Sequence, residues 1–270
     1  MRYDLDQLQT DETRIKFVGV GHVGRRITQE LARSHPYDVG YDNETTALFV
    51  AVDQLIVLAD AEDEAADLAG TVAGFREAGC KCIVAFVPQP PATDSRRAQS
   101  VLTRLRGWGP LLDGLFLLPT TDAELMDARI VEAADQLATV ISVPGMMCID
   151  FSDVVTVMRQ PGWGRVVSGE ASGVQRARLA AQATLDHPDL HGGISRAASI
   201  LGILVMDDSC TLDEYYEILN EIDARVSSET TCILGTSFDE TLGDQLRLVL
   251  FVGGLPEEDV WPDVGRPTAP

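Results

Sequence analysis

Residues 15–24 read IKFVGVGHVG, and this stretch decides what the first half of the chain can be. The apolar run up to residue 20 predicts a buried strand, and apolar residues at helical spacing after it predict a helix over 22–34. The junction carries three glycines in GxGxxG order, Gly19, Gly21 and Gly24. The sequence therefore predicts a glycine loop between a strand and a helix.

Such a loop has two physical explanations. Glycines let the backbone approach a diphosphate while the helix N-terminus donates N–H groups to it. An acid about twenty residues later would bind a ribose hydroxyl, and Asp42 and Glu44 lie at that distance. An NAD(P)-binding protein that uses GVGHVG is therefore one hypothesis. Close packing of the strand against the helix explains the same glycines without a ligand.

The same alternation of strand and helix continues along the chain. Strands are predicted at 15–20, 54–59, 81–88 and 112–119. Helices are predicted at 22–34, 62–78, 94–106 and 121–142. Four alternations predict a parallel sheet that is covered on both faces. The last helix would be about 33 Å long, enough to run through a whole domain.

Beyond residue 144 the pattern changes. Strands are predicted at 163–170, 199–206, 230–237 and 245–253, and helices at 151–158, 173–185 and 211–226. Several of these strands follow one another, so this half is predicted to be α+β.

Composition excludes several classes of function. The 270 residues include 42 acidic and 21 basic side chains, for a net charge of -21. A surface this negative repels nucleic acid and anionic bilayers, so neither is an expected partner. No apolar run reaches the ~18 residues of a spanning helix, and the polar N-terminus does not resemble a secretory signal.

Cysteine and histidine positions predict no metal site. Five cysteines at irregular spacing, mostly within apolar runs, indicate buried residues in a reducing compartment, so we expect a cytoplasmic protein. Cys80 and Cys82 lack the spacing of a metal or redox pair. His187 and His191 lie in a turn-rich stretch, DHPDLHGG, rather than on a helix.

The second half resembles a known family. Four motifs resemble those of FtsZ, the prokaryotic relative of tubulin, and follow one another in the same order. They are PGMMCIDFSDVVTVM (144–158), GWGRVVSGEASG (162–173), LDEYYEILNEI (212–222) and TTCILGTS (230–237). The resemblance is collinear over roughly residues 120–254, and it is patchier before them. The chain is therefore identified as a divergent member of the FtsZ/tubulin superfamily.

The resemblance implies an architecture. We expect an α/β fold with a truncated Rossmann-like nucleotide domain at 14–120, a central helix at 121–143 and an α+β domain at 144–255. A flexible arm at 1–13 and a mobile tail at 256–270 complete the predicted organisation.

The family's filament chemistry implies the candidate catalytic residues. FtsZ proteins stack head to tail, and acids after the central helix reach the GTP of the next subunit. Asp150 and Asp153 match these two acids, whereas Cys148 replaces the family's asparagine. An acid pair can polarise a water beside a phosphate. Helix capping explains the same two residues without catalysis.

The nucleotide half departs from the family's pattern. The family's GGGTGTG loop should follow the strand at 54–59, but this chain reads DAEDEAADLAG (60–70). Five acids there would repel a triphosphate. The alignment also gives Ala123 for the family's base-stacking aromatic and Asp127 for its base-reading asparagine. Gly19, Gly21, Gly24 and Asp127 are the remaining candidate nucleotide contacts.

The expected function follows from a second half that resembles the family and a nucleotide half that departs from it. We expect an FtsZ-like filament or filament-modulating protein in cell division or membrane remodelling, defective in GTP binding and hydrolysis. Its partner would be a second copy or a full-length FtsZ, bound head to tail. A membrane-anchored protein would bring it to a membrane, since the chain ends soon after its last strand. No cofactor is expected, although a residual GTPase binding GTP with Mg²⁺ is the alternative.

Overall fold

Strands form at the apolar runs of both halves. The computed structural model describes residues 13–34, 38–41, 52–90, 95–119, 123–143, 145–190 and 194–261. In the first half the strands are β1 (Ile15–Val20), β2 (Asp38–Tyr41), β3 (Gln54–Ala59), β4 (Cys82–Gln89) and β5 (Gly114–Pro119). In the second half they are β6 (Trp163–Ser172), β7 (Ser199–Met206), β8 (Thr231–Phe238) and β9 (Gln245–Leu255).

The helices connect and cover these strands. They are α1 (Gly21–Ser34), α2 (Leu68–Glu77), α3 (Ser95–Trp108), α4 (Ala123–Ser142), α5 (Phe151–Met158), α6 (Arg176–Leu185), α7 (Leu212–Asp223) and α8 (Glu257–Val260). None of the helices that the structure describes is both long and apolar enough to cross a membrane.

All nine strands belong to one sheet, in the order β2-β1-β3-β4-β5-β6-β9-β7-β8. The strands β1 to β5 are mutually parallel, and β9 runs antiparallel to both β6 and β7. Helices pack on both faces and enclose two buried apolar clusters. The predicted α/β fold, with a parallel first half and a mixed second half, is confirmed.

The two predicted halves share this sheet. β5 pairs with β6 through two residue pairs, Phe116 with Gly164 and Leu117 with Arg165. Across the junction, the rings of Phe86, Phe116 and Phe251 contact one another at centroid distances of 5.7 to 6.1 Å. The domain boundaries at 120 and 144 remain a prediction, because the sheet and its core continue across them.

Three elements differ from the sequence prediction. The helix predicted at 62–78 begins only at Leu68, because the acids before it fold into turns. The short strand β2 was missed, since its four residues are only partly buried and include a glycine.

The third difference concerns the tail predicted to be mobile from residue 256. It begins with the helical turn α8, which was not predicted, and Val260 and Trp261 are buried there; the mobility of the tail stays a prediction. Residues 262–270 and the predicted arm up to residue 12 lie outside the described residues.

The strand order creates a crevice beside the glycine loop. Along the sheet the chain goes from β1 to β2 in one direction and from β3 to β5 in the other. Ligands of open α/β sheets bind at such a reversal, beyond the carboxyl ends of the strands. Here the crevice lies between the ends of β1 and β3, where the amide of Asp60 donates to the carbonyl of Val20 at 2.9 Å.

We predict that Gly24→Ala strongly destabilises the fold. A Cβ atom at this position would lie 1.9 Å from the carbonyl oxygen of Leu58, so α1 could not keep its distance from β3. We expect the free energy of unfolding in urea to fall by at least about 2 kcal/mol. Gly107→Ala on α3 is the control, because its Cβ meets no atom within 4 Å. That substitution should be neutral or stabilising by up to about 1 kcal/mol, and equal effects would contradict the packing argument.

Candidate functional site

The glycine loop lets the main chain of α1 pack closely against the ends of β1 and β3. Gly21 has a φ of +76°, which favours glycine, and a Cβ there would lie 2.9 Å from that of Asp60. Gly24 presses against β3, as described above. At Gly19 a Cβ would lie 2.7 Å from the carbonyl oxygen of Gly24. Close packing thus accounts for all three glycines without a ligand.

Carboxylates of the chain itself accept the first amides of α1. The N–H of His22 donates to Oδ2 of Asp63 at 3.1 Å, and the N–H of Val23 donates to Oδ2 of Asp60 at 3.3 Å. The start of a helix carries unsatisfied N–H groups and a partial positive charge, which is why such sites bind phosphate. In this structure Asp60 and Asp63 supply the acceptor oxygens and the negative charge.

The acid loop, residues 60–67, is held in shape by its own side chains. Oδ1 of Asp60 accepts the N–H of Glu62, and Oδ1 of Asp63 accepts that of Ala65, both at 2.9 Å. Asp67 accepts the N–H of Gly70 and caps α2. Each of these carboxylates therefore has a structural role within the loop.

Arginines of α3 neutralise part of the loop's charge. Arg97 pairs with the carboxylate of Glu62 at 2.6 Å. Arg104 donates to the main-chain carbonyls of Ala61 and Asp63 at 3.1 and 2.6 Å. The repulsion expected among the five acids is thus reduced by cations from the neighbouring helix. These contacts were not predicted, although the arginines on the 94–106 helix and the acids on 60–67 were both visible in the sequence.

The ionised form of Asp63 is favoured by its hydrogen bonds. The N–H of Ala65 lowers the pKa of this carboxyl most, and the N–H of His22 lowers it further, while partial burial opposes both. Stabilisation of the fold by this carboxylate is therefore complete at neutral pH and is lost as the pH falls through the lowered pKa.

Asp127, the candidate base-reading residue, is occupied by an ion pair. Its two carboxylate oxygens accept Nε and Nη2 of Arg26 at 2.7 and 2.9 Å, which joins α1 to α4. This hydrogen-bonded pair raises the pKa of Arg26. The side chain of Ala123 lies outside the described residues.

Asp150 and Asp153 form a capping box at the start of α5. Oδ1 of Asp150 accepts the N–H of Asp153 at 2.9 Å, and Oδ2 of Asp153 accepts the N–H of Asp150 at 3.1 Å. The hydroxyl of Ser152 donates to Asp150 at 2.6 Å and is the main reason that the pKa of this carboxyl is lowered. The capping explanation is confirmed by this geometry, whereas the catalytic role remains a prediction.

The two groups of candidate residues lie at opposite ends of α4. The Arg26–Asp127 pair joins the start of α4 to α1, and residues 145–150 follow its last turn. A helix of 20 residues is about 30 Å long. The acids at 150 and 153 therefore cannot act on the glycine loop of the same subunit.

The loop before α5 is anchored yet exposed. The N–H of Met147 donates to Oγ1 of Thr236 at 2.8 Å, and the N–H of Thr236 donates back to the carbonyl of Met147. The Met146 and Met147 side chains are exposed, as is that of Cys148, which donates to the carbonyl of Gly145. Edge strand β8 thus holds the loop while its sulphur-containing side chains face outward.

The remaining candidates form no site in the described part of the chain. Asp42 and Glu44, on which the NAD(P) hypothesis depends, lie outside the described residues, as does His191. Burial lowers the pKa of His187, and its Nδ1 accepts the N–H of Asp189 at 3.2 Å. Within the described ranges no three His, Cys, Asp or Glu side chains are arranged to hold a metal ion.

Comparisons with known proteins agree with this architecture. Residues 162–256 match the family model "FtsZ family, C-terminal domain". The cell division protein FtsZ of Pseudomonas aeruginosa is 31% identical over 189 residues, which cover 64% of this chain and 48% of that protein. The chain spans 35% to 49% of the length of the curated FtsZ relatives that it matches.

Two solved structures show the same fold. FtsZ of M. jannaschii, solved as an empty dimer, superposes with a TM-score of 0.79 at 19% identity, covering 98% of this chain and 97% of that one. CetZ2 from Haloferax volcanii, solved as a GTPγS-bound protofilament, superposes with a TM-score of 0.66 at 12% identity, covering 93% and 97%.

We predict that Asp63→Asn changes the pH dependence of stability. At pH 7 the variant should be less stable than the wild type, because the charged acceptor for His22 and Ala65 is lost. The difference in the free energy of unfolding between wild type and variant should narrow as the pH falls below about 4, because Asp63 of the unfolded wild type then becomes protonated. Urea midpoints at pH 7 and pH 3 measure this effect. Glu64→Gln, an exposed acid of the same loop, is the control; a constant difference between D63N and the wild type would refute the prediction.

We predict that Asp150→Ala destabilises the start of α5. Loss of the N-cap acceptor should lower the free energy of unfolding by about 1 kcal/mol, whereas Asp150→Asn, which keeps an acceptor oxygen, should cost only a few tenths of that. Chemical denaturation of both variants gives the comparison. If D150A and D150N were equally stable, the capping box would not contribute.

Proposed function

On the premise that the chain is a member of the FtsZ/tubulin superfamily of cytoskeletal proteins, we propose that it works by subunit docking without GTP hydrolysis. It would dock head to tail onto a second copy or onto a full-length FtsZ. Either assembly places it in cell division or membrane remodelling, with a membrane-anchored protein as a further partner.

The contacts at the start of α1 carry this proposal. A nucleoside triphosphate would have to displace Asp60 and Asp63 from the amides of Val23 and His22. It would also add its own negative charge, about four units, to the same place. Binding would also cost electrostatic free energy, because the phosphates would lie close to the negative carboxylates of Asp60 and Asp63, and like charges repel even in a partly hydrated site. The described residues therefore do not fit the phosphates of GTP, and we assign no hydrolytic step to them.

Features of the opposite end support the docking part of the proposal. Val143, Met146 and Met147 expose apolar surface in and next to the loop before α5, residues 145–150, which we call the docking loop. The capping box and the bonds to Thr236 hold this loop in one shape, which lowers the entropy lost on association. Relatives of the same fold have been solved as a dimer and as a protofilament, which supports self-association of this chain as well.

Calorimetric titration with GTP and Mg²⁺ tests the first part. We expect no heat of binding at nucleotide concentrations of several hundred micromolar, because the amide donors of α1 are already engaged. Adenosine triphosphate serves as the control for unspecific binding of a charged nucleotide. Saturable binding of GTP in the micromolar range would contradict the proposal.

Sedimentation tests the second part. We expect the protein alone to pellet to the same extent with and without GTP, or to pellet together with a full-length FtsZ when that partner has assembled with GTP. Met147→Glu should reduce the pelleted fraction several-fold, since it adds charge to the apolar docking loop. Leu179→Glu is the matched control, because Leu179 is similarly exposed but lies on α6. Failure of the wild type to pellet in every condition would refute the proposal.

A further inference from the structure

The helical turn α8 is attached to both halves of the sheet, although it follows the last strand of the second half. Arg106 of α3 donates to the carboxylate of Glu257 at 2.5 and 2.9 Å. Arg196, in the segment before β7, donates to Glu258 at 2.7 Å and to Asp259 at 2.9 Å. One arginine from each half of the chain therefore binds the acids of this turn.

A carbonyl oxygen of α8 repeats this arrangement inside the core. The carbonyl of Val260 accepts Nη2 of Arg165 on β6 at 2.7 Å and Nε2 of Gln89 at the end of β4 at 2.9 Å. Arg165 also donates to the side chain of Gln89 and, at 3.2 Å, to the carbonyl of Leu117 on β5. The side chains of Val260 and Trp261 are buried. The turn thus spans β5 at the junction, where two residue pairs join β5 to β6.

Attachment of α8 leaves polar atoms without hydrogen bonds. Three buried atoms have no partner among the described residues, namely Nε of Arg165, Oδ2 of Asp259 and Nε1 of Trp261. The other side-chain nitrogens of Arg165 bond neutral oxygens, and burial lowers the pKa of this group to about 10. Burial of such groups is costly, because water would bind them outside the core.

Detachment of α8 would return these atoms to water. The loss of apolar burial at Val260 and Trp261 would then be offset in part by hydration of the charged and polar groups beneath the turn. The free energy that holds α8 in place is therefore smaller than its many contacts suggest. Segments of this kind open locally before the rest of a domain unfolds.

We propose that α8 is a detachable strap that ties the first half of the sheet to the second. In the attached state, Arg106 and Gln89 of the first half and Arg165 and Arg196 of the second half all bond to the strap. In the released state the junction loses these contacts, and β5 separates from β6 more often. The inference does not rest on the proposed function, because it requires neither nucleotide nor a docked subunit.

Hydrogen exchange of the full chain tests both parts of the proposal. Arg106→Gln combined with Arg196→Gln removes the exposed ion pairs of α8 and leaves its core contacts unchanged. The amide of Trp261, which donates to the carbonyl of Glu257, should exchange about tenfold faster in this double variant. Amides of β5 and of the first residues of β6 should exchange several-fold faster, while those of β1 and β3 change by less than about twofold.

The chain offers a matched control. Arg33→Gln combined with Arg225→Gln removes ion pairs to Glu30 and Asp186 on other parts of the surface and changes the net charge equally. This variant should leave the exchange of Trp261 and of the junction unchanged. Equal exchange in the two double variants would show that the ion pairs do not hold α8. Faster exchange at Trp261 with an unchanged junction would show that α8 does not tie the two halves, and either result would overturn the proposal.

A core variant tests release more strongly. Val260→Asp places a charge in a fully buried contact and should detach α8. We expect faster exchange confined to α8, β5 and β6, with the far-ultraviolet circular dichroism of the wild type retained. Loss of protection in all nine strands would show that α8 is an inseparable part of the core, which would contradict a strap. The surface variant R106Q/R196Q keeps the test decisive if V260D does not fold.

Discussion

The hydrogen bonds from the first amides of α1 to Asp60 and Asp63 determine what the rest of the first half can do. A helix start beside a parallel sheet needs acceptors for its N–H groups, and in phosphate-binding proteins the ligand supplies them. Here the chain supplies them from the loop that follows β3. Arg97 and Arg104 of α3 contact this loop at the carboxylate of Glu62 and at the main-chain carbonyls of Ala61 and Asp63. The amides of His22 and Val23 therefore have acceptors within the chain itself.

The same constraint separates the two ends of the molecule. α4 lies between the Arg26–Asp127 pair near its start and the exposed, well-anchored loop at its end. Because about 30 Å of helix intervenes, chemistry or docking that involves both ends needs two subunits. Under the proposed function, a subunit whose first α1 amides are bonded to its own carboxylates would present the loop before α5 whether or not nucleotide is available.

Much of this architecture was predictable from local sequence. Buried strands such as IKFVGV and QLIVLA were predicted within a residue, because continuous apolar runs that end in glycine or acid have few other structures. The short strand β2 was not, since its four residues carry no apolar run and pairing with β1 rather than their own pattern makes them a strand. The site was predictable only in part. The acids at 60–67 were expected to repel a triphosphate. Their hydrogen bonds to α1 and the Arg26–Asp127 ion pair were not predicted, because these contacts join residues that are 37 to 101 positions apart in the sequence. No local sequence pattern reveals contacts at such a separation.

The amide signals of His22 and Val23 in a nuclear magnetic resonance spectrum test the central claim most directly. Addition of millimolar GTP and Mg²⁺ should leave both signals in place, because their hydrogens already donate to carboxylates of the same chain. Signals that shift and saturate with GTP would show that the nucleotide displaces Asp60 and Asp63, which would contradict this account.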